Sequence, residues 1–232
     1  MRDLAWAALA GVRDPELDQP ITDLGFVASL EVASLDVASL DGATPGTGDA
    51  GIRVELRLPT YFCAPNFAWL MVADARDALA AIPGAGPITV TLVDHFAAAE
   101  INSAAAFADH FQTDGLDGDL EELRSAFDRK AHVAAQERLA RQLAPLVGDR
   151  LGALTLAEAS RLAPDAAQAV ARRRERLALV SDLAICDERG APIAADRLGV
   201  WLRLARTVRV SVDGNAELCR GLLRTRYGVT RS

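Results

Sequence analysis

From Ile52 to Leu58 apolar and polar residues alternate without a break, with Ile52, Val54, Leu56 and Leu58 set against Arg53, Glu55 and Arg57. A period of two places the four apolar side chains on one face of an extended chain, so the segment predicts a half-buried β-strand. Upstream, Leu4, Ala5, Ala8, Leu9 and Val12 recur at helical spacing and predict a helix over 3–12. It stops at Asp14-Pro15, because the residue before proline avoids the α region. A first strand is expected from near Gly25, and Ile88, Val90 and Leu92 predict a third that ends at Asp94-His95. Between the second and third strands, Pro65 suits the first position of a helix over 65–82.

The first strand runs into a repeat: Val-Ala-Ser-Leu occurs at 27–30, 32–35 and 37–40. A period of five matches neither strand nor helix, so successive copies cannot all present one face, and the later copies read as a tandem duplication that lengthens a hairpin arm or loop. The Gly-, Thr- and Pro-containing stretch 41–51 is a loop. Beyond the third strand the chain reads as helix near 97–111, 119–147, 155–162, 165–181, 194–206 and 215–227. Thr155 and Glu158 form a capping box, and Gly228 stands where a helix ends. Alternation of Val208, Val210 and Val212 with Arg209 and Ser211 predicts one short strand among these helices.

These elements predict an α/β (α+β) N-terminal domain over 1–112, with a small mixed three-stranded sheet and two helices. A mainly α-helical domain over 119–232 follows it, the boundary falling at 113–118. Two strands joined by a loop pair antiparallel, whereas two strands separated by a helix pair parallel through a right-handed crossover. The start of the first strand, the end of the second and the end of the third then share an edge. That edge brings Asp23, Cys63 and His95 together, with Glu16 in the turn leading to it.

Composition narrows the reading. Half of the 232 residues are hydrophobic and only 5% are aromatic, so the core is built from Ala, Leu and Val, and the alanines favour helix. The net charge of -7 excludes nonspecific binding to nucleic acid or an anionic membrane, both of which need positive potential. Charge is uneven: residues 1–59 carry ten acids and four bases (-6), whereas residues 200–232 carry seven bases and two acids (+5). The arginine-rich end can serve as a partner surface or simply as a solvated face. Without a membrane-length apolar run or a leader-like start, the expected location is cytoplasmic. Cys63, Cys186 and Cys219 are odd in number and far apart, which argues against a disulfide framework, and three thiols cannot form a four-cysteine cluster cage.

Cys63 stands between a strand and a helix start, where unpaired amides and the helix dipole favour thiolate over thiol. Such a sulfur serves as metal ligand or as nucleophile; the bland alternative is an inert core cysteine. Cys186 and Cys219 lack that setting and read as packing residues. His95 is a candidate for ligation or proton transfer, against the simpler reading of a backbone-bonded residue after a strand. Asp14-Pro15-Glu16 and Asp23-Leu24-Gly25 are equally readable as turns.

Taken together, the Asp14-Pro15-Glu16 turn, the Asp23-Leu24-Gly25 turn and one cysteine after a strand resemble the metal-sulfur cluster biosynthesis family typified by the PaaD and SufT proteins, over roughly residues 1–105. The family's cysteine lies in a Thr-x-Pro-Gly-Cys-Pro type segment. Here Pro59-Thr60-Tyr61-Phe62-Cys63-Ala64-Pro65 keeps the cysteine, replaces the glycine with Phe62 and displaces the following proline by one. The resemblance implies an accessory factor that assembles or matures an iron or iron-sulfur centre in a client metalloenzyme. Cys63 would be the ligand or transfer thiol, holding iron or a cluster transiently, with Asp23, Glu16 and His95 as helpers. Extended members of this kind accompany binuclear-iron monooxygenases, and the added helical half would recognise the client. Two rival readings remain: a metal-free folding chaperone or scaffold for a metalloenzyme, and a thiol-dependent enzyme with Cys63 as nucleophile and His95 as base.

Overall fold

A computed structural model describes residues 1–34, 50–107 and 117–228, which divide into two compact units. The first comprises Met1–Asp117 together with Ala216–Ser232, and the second Gly118–Asn215. The expected loop 41–51, the third Val-Ala-Ser-Leu copy and His110 fall wholly or almost wholly outside the described residues.

In the first unit, helix α1 (Arg2–Gly11) and a short helix α2 (Ile21–Leu24) precede strand β1 (Val27–Ser34). Strand β2 (Ala50–Arg57), helix α3 (Pro65–Ala80), strand β3 (Ala85–Val93) and helix α4 (Ala98–Phe107) follow. The sheet has the order β1-β2-β3, with β1 and β2 antiparallel and β2 and β3 parallel across the crossover helix α3.

The repeat finds its physical resolution here. Val27 pairs with Leu56 but Ser29 already pairs with Glu55, so one extra residue is bulged out of β1. Leu30 and Val32 then meet Val54 and Ile52, so Val27, Leu30 and Val32 all oppose buried residues of β2 despite their odd spacing. The second copy of the repeat thus continues the strand through Ser34. Leu9, Ile21, Phe26, Leu70 and Leu79 are among the largest fully buried side chains, so α1, α2 and α3 cover the sheet with aliphatic bulk.

In the second unit, α5 (Asp117–Val147), a 3-10 turn (Gly148–Ala153), α6 (Leu156–Leu162) and α7 (Pro164–Arg176) surround a core that includes Leu139, Leu143, Val170 and Ile185. The capping box at Thr155 is formed in both directions. One buried cation pins this unit. Arg174 donates to the carbonyls of Ser181, Leu183 and Ala184, to His132 Nε2 at 3.2 Å and to Cys186 Sγ at 3.2 Å. Burial, and then the Arg174 charge, depress the His132 pKa to about 4, so the imidazole is neutral at physiological pH.

Two features differ from the sequence expectation. Residues 208–212 are not a strand; they lie inside one helix, α8 (Ala195–Tyr227), which also absorbs the two helices expected on either side. Val208, Val210 and Val212 alternate, but Ala205, Val212, Ala216 and Leu223 are the buried positions, a spacing of seven, four and seven that is helical. Arg209 adds an i,i+4 ion pair to Asp213 at 2.8 Å and another to Glu137, contacts that outweigh the β-propensity of three valines. Second, the division at 119 leaves residues 216–227 with the helical half, whereas Ala216 and Leu223 belong to the core of the first unit.

Candidate functional site

Strand β2 ends in a turn whose floor is Leu58, 2% exposed, and whose rim carries Cys63. The Cys63 thiol is half-buried and lies 3.2 Å from Thr60 Oγ1, three residues back, so the turn supplies its own hydrogen-bond partner for the sulfur. Pro65 then opens α3 at a position where a missing N–H costs nothing.

His95 reaches this turn from the end of β3, where Asp94 takes a positive φ of 53°. The ring is buried, and both nitrogens are engaged. The Ala97 N–H donates to Nδ1 at 3.2 Å, which leaves the proton on Nε2, and Nε2 lies 2.8 Å from the Cys63 carbonyl oxygen. His95 therefore clamps the cysteine's backbone. It addresses the carbonyl and not the sulfur, so neither a free ring nitrogen for a metal nor a base at the thiol is presented. A second link, Phe96 N–H to the Tyr61 carbonyl at 3.1 Å, ties the same two loops together.

Three aromatic rings surround the turn in contact with one another. Tyr61 and Phe62 have centroids 5.1 Å apart, and Phe62 and Phe96 are 5.9 Å apart. Phe62 is 77% exposed, and Tyr61 and Phe96 are each 47% exposed, an apolar patch where a solvated loop would carry polar residues.

The acidic turns take different roles. Asp14 is buried and accepts hydrogen bonds from the Glu16 and Leu17 N–H groups at 2.9 and 2.7 Å, which shapes the Asp14-Pro15-Glu16 turn. Burial pushes its carboxyl up to about 6, even though the two amide hydrogen bonds pull the other way. Asp23 is exposed on α2, where Thr22 Oγ1 lies 3.4 Å from its carboxylate. Gly25 closes α2 in the left-handed region at φ 77°, the conformation for which glycine is suited, so the second turn is a helix cap.

The sequence reads Cys219 as a packing residue. Cys219, on α8, packs against the same apolar core as Cys63. Burial first, then the neighbouring Asp14, Cys63 and Glu16, push its thiol up to about 11, against the opposing effect of Arg220. The helix is held there at both ends of this stretch: Arg220 hydrogen-bonds the Gln19 side chain, and Arg226 donates to the Asp94 carbonyl at 2.8 Å and the Leu58 carbonyl at 3.3 Å. The apolar stripe Ala216, Cys219, Leu223 is legible in the sequence; which core it covers is not. Cys186 is fully buried in the other unit against Arg174.

Among the described residues no three His, Cys, Asp or Glu side chains come together as a cation site, and no helix is long and apolar enough to cross a membrane. The second unit contributes a groove of about 390 Å³ between α5 and the first part of α8. Arg141, Arg203, Arg206 and Arg209 line it over an apolar base that includes Leu151 and Leu202.

Residues 2–92 match the family model of iron-sulfur cluster assembly proteins. This N-terminal segment is similar to iron-sulfur cluster assembly proteins. The match spans 91 of 232 residues and ends on Leu92, inside β3. It takes in the Asp14 turn, the Asp23 turn and Cys63 of the assembly-protein segment; His95, the second unit and α8 lie beyond it. Neither the curated proteins nor the solved structures contain a match to the chain.

Proposed function

We propose that the protein takes part in iron-sulfur cluster assembly, a reading supported by the match of residues 2–92. We propose that it acts as a maturation factor, of the PaaD and SufT kind, that holds an iron or iron-sulfur unit transiently at Cys63 and passes it to a client metalloenzyme. The observation that carries this reading is the setting of Cys63: a half-buried thiol at the mouth of a turn within the family segment, its backbone clamped by His95 and its rim apolar. The cargo is a substrate of the protein, and the chemistry is ligand exchange at the thiolate with no small molecule turned over. A site short of a full ligand set suits hand-over, because the client or the cargo's own sulfide completes the coordination and can then withdraw it. Glu16, beside the sulfur-bearing edge, is the carboxylate best placed to assist; Asp23 is the outer one. His95 works by fixing the cysteine.

Two surfaces fit the client. Tyr61, Phe62 and Phe96 would be covered when a client's acceptor site closes over Cys63, which excludes water during transfer. The arginine groove of the second unit would receive an acidic segment of the client by charge complementarity, slotting its apolar side chains onto Leu151 and Leu202. Extended members beside binuclear-iron monooxygenases make such an oxygenase the first client to test.

The deciding experiment loads anaerobically purified wild type and Cys63→Ser with iron and sulfide. Bound iron and acid-labile sulfide are measured, then transfer to an apo-ferredoxin is followed by circular dichroism. Loss of loading and transfer in the variant is the expected result. Equal loading and transfer would leave the metal-free chaperone reading in its place.

A further inference from the structure

We propose that Arg226, in the last turn of α8, is a positioning residue of the Cys63 site: its guanidinium fork holds the Cys63 turn and the His95 loop at a fixed separation and so sets how the thiol is presented to cargo. The proposal rests on the reading of Cys63 as the cargo thiol and adds to it a residue from outside the matched residues 2–92. Strands β2 and β3 run parallel, and their last register pair is Arg57 with Val93. One residue further on, at Leu58 and Asp94, the paired register has ended. Arg226 spans the two chains at that point. One terminal nitrogen donates to the Leu58 carbonyl at 3.3 Å and the other to the Asp94 carbonyl at 2.8 Å. Leu58 leads into the Cys63 turn, and Asp94 is followed directly by His95. The same two loops are joined again by Phe96 N–H to the Tyr61 carbonyl at 3.1 Å and by His95 Nε2 to the Cys63 carbonyl at 2.8 Å. Arg226 is the link at the root of the two loops, and the others lie beyond it.

The fork is itself held in place. Its guanidinium carbon lies 4.9 Å from the centre of the Tyr227 ring, and that of Arg57, the last residue of β2, lies 4.7 Å from the same ring. Stacking on an aromatic face suits a planar guanidinium and leaves its N–H edges free to donate. Leu223 is buried in the core of the first unit and Arg220 bonds to the Gln19 side chain, so the last turns of α8 are seated on that core. Asp94 takes a positive φ of 53°, a conformation that non-glycine residues rarely adopt, and the Arg226 bond falls on the carbonyl of that strained residue. Arg226 is solvent-exposed, so it fills no part of the core; what it contributes is the spacing of two carbonyls. Its removal loosens the Cys63 turn by local opening and leaves the packed sheet in place. A lysine there would keep the charge but offer one nitrogen where the fork offers two.

The test uses the full chain, free of iron, with the variants Arg226→Ala, Arg226→Lys and Leu79→Val. Leu79 is fully buried near the end of α3, whereas Cys63 precedes the start of that helix, so its truncation weakens the first unit without touching the site. Alkylation of Cys63 by iodoacetamide at pH 8 is followed by mass spectrometry under native conditions, and urea unfolding measures stability. Cys63 should react about five-fold faster in Arg226→Ala than in wild type, the opening expected from loss of a charge-assisted link at the loop root. Arg226→Lys should behave as the alanine variant does. Leu79→Val should leave the rate unchanged although it is the less stable protein. An unchanged rate in Arg226→Ala, a lysine variant equal to wild type, or equal acceleration by Leu79→Val would each overturn the positioning role. Iron loading then separates this role from the reading on which it rests: loading should fall in Arg226→Ala and be lost in Cys63→Ser. Full loading in Arg226→Ala, with loading lost in Cys63→Ser, would overturn the role of Arg226 and leave the cargo reading intact. Equal loading in wild type and Cys63→Ser would overturn the cargo reading, and with it the part of Arg226 in presenting the thiol to cargo.

Discussion

Replacing Asp14 with Asn should make the first unit more stable at neutral pH, the reverse of what removal of a hydrogen-bonded carboxylate usually does. Asp14 is buried, and its pKa rises from 3.8 to about 6. A carboxyl whose pKa is higher folded than unfolded binds its proton more tightly in the native state. Its favourable contribution is complete below the unfolded value and is lost as pH climbs through the folded one. Between pH 4 and 6 the wild type therefore sheds stability, and a shift of this size corresponds to about 3 kcal/mol. Asparagine keeps the Oδ1 that accepts from the Glu16 and Leu17 amides and removes the buried charge. A neutral acceptor bonds those amides less strongly, which returns about 1 kcal/mol. The net expectation is a gain of about 2 kcal/mol at pH 7.5 and little change at pH 4. Urea unfolding measures it in a Trp201→Phe background, where Trp6 and Trp69 report on the first unit alone. A stability difference between variant and wild type that is the same at both pH values, or a variant less stable at pH 7.5, would refute the reasoning. A confirmed gain would also mean that this acid is kept at a cost to folding, as functional-site residues often are.

His95→Ala should cost the first unit about 1–3 kcal/mol and lower its iron loading, because the Cys63 carbonyl loses its donor; His95→Gln, which can donate an N–H to the same oxygen, should recover part of both in parallel urea and iron assays. Arg174→Ala should destabilise the second unit by about 3–5 kcal/mol, read from Trp201 emission, since three carbonyls, that of Ala184 buried, lose their donor at once. His132 acts with the opposite sign to Asp14: its pKa falls from 6.5 to about 4, so its contribution is complete above 6.5 and is lost as pH drops toward 4. That window spans up to about 3 kcal/mol, and His132→Gln should flatten the acid limb of the second unit's unfolding profile. In iron-free protein at pH 8, mass spectrometry should find Cys63 alkylated first, because Cys186 is fully buried and burial pushes the Cys219 thiol up to about 11. Equal rates at the three sites would contradict that order.

Much of the fold was legible because its signals are local. Alternation over Ile52–Leu58, the proline at the start of α3 and the capping box at Thr155 each depend on neighbours within a few residues, and the structure realises all three. Strand pairing followed from the kind of connection the sequence predicts before and after β2, and the observed pairings are antiparallel and then parallel across α3. The misread segment, 208–212, is one where a period of two and a helical period coexist over five residues. Only contacts with Glu137 and Asp213, together with the buried stripe through Val212 and Ala216, select the helix.

The chemistry divides along the same line. The sequence alone carried the likeness to iron-sulfur cluster assembly proteins, because a thiol between strand and helix after two acidic turns is a local pattern, and the family match covers those residues. Tertiary structure decided what each group does there. His95 spends both nitrogens on backbone, Asp23 lies exposed beside Thr22, and Asp14 is driven inside. Cys219, 156 positions after Cys63, packs against the same core. Nothing local to residue 219 encodes that approach: an apolar helical stripe specifies only that it must be covered, and the choice of core rests on distant partners such as Gln19, Leu58 and Asp94.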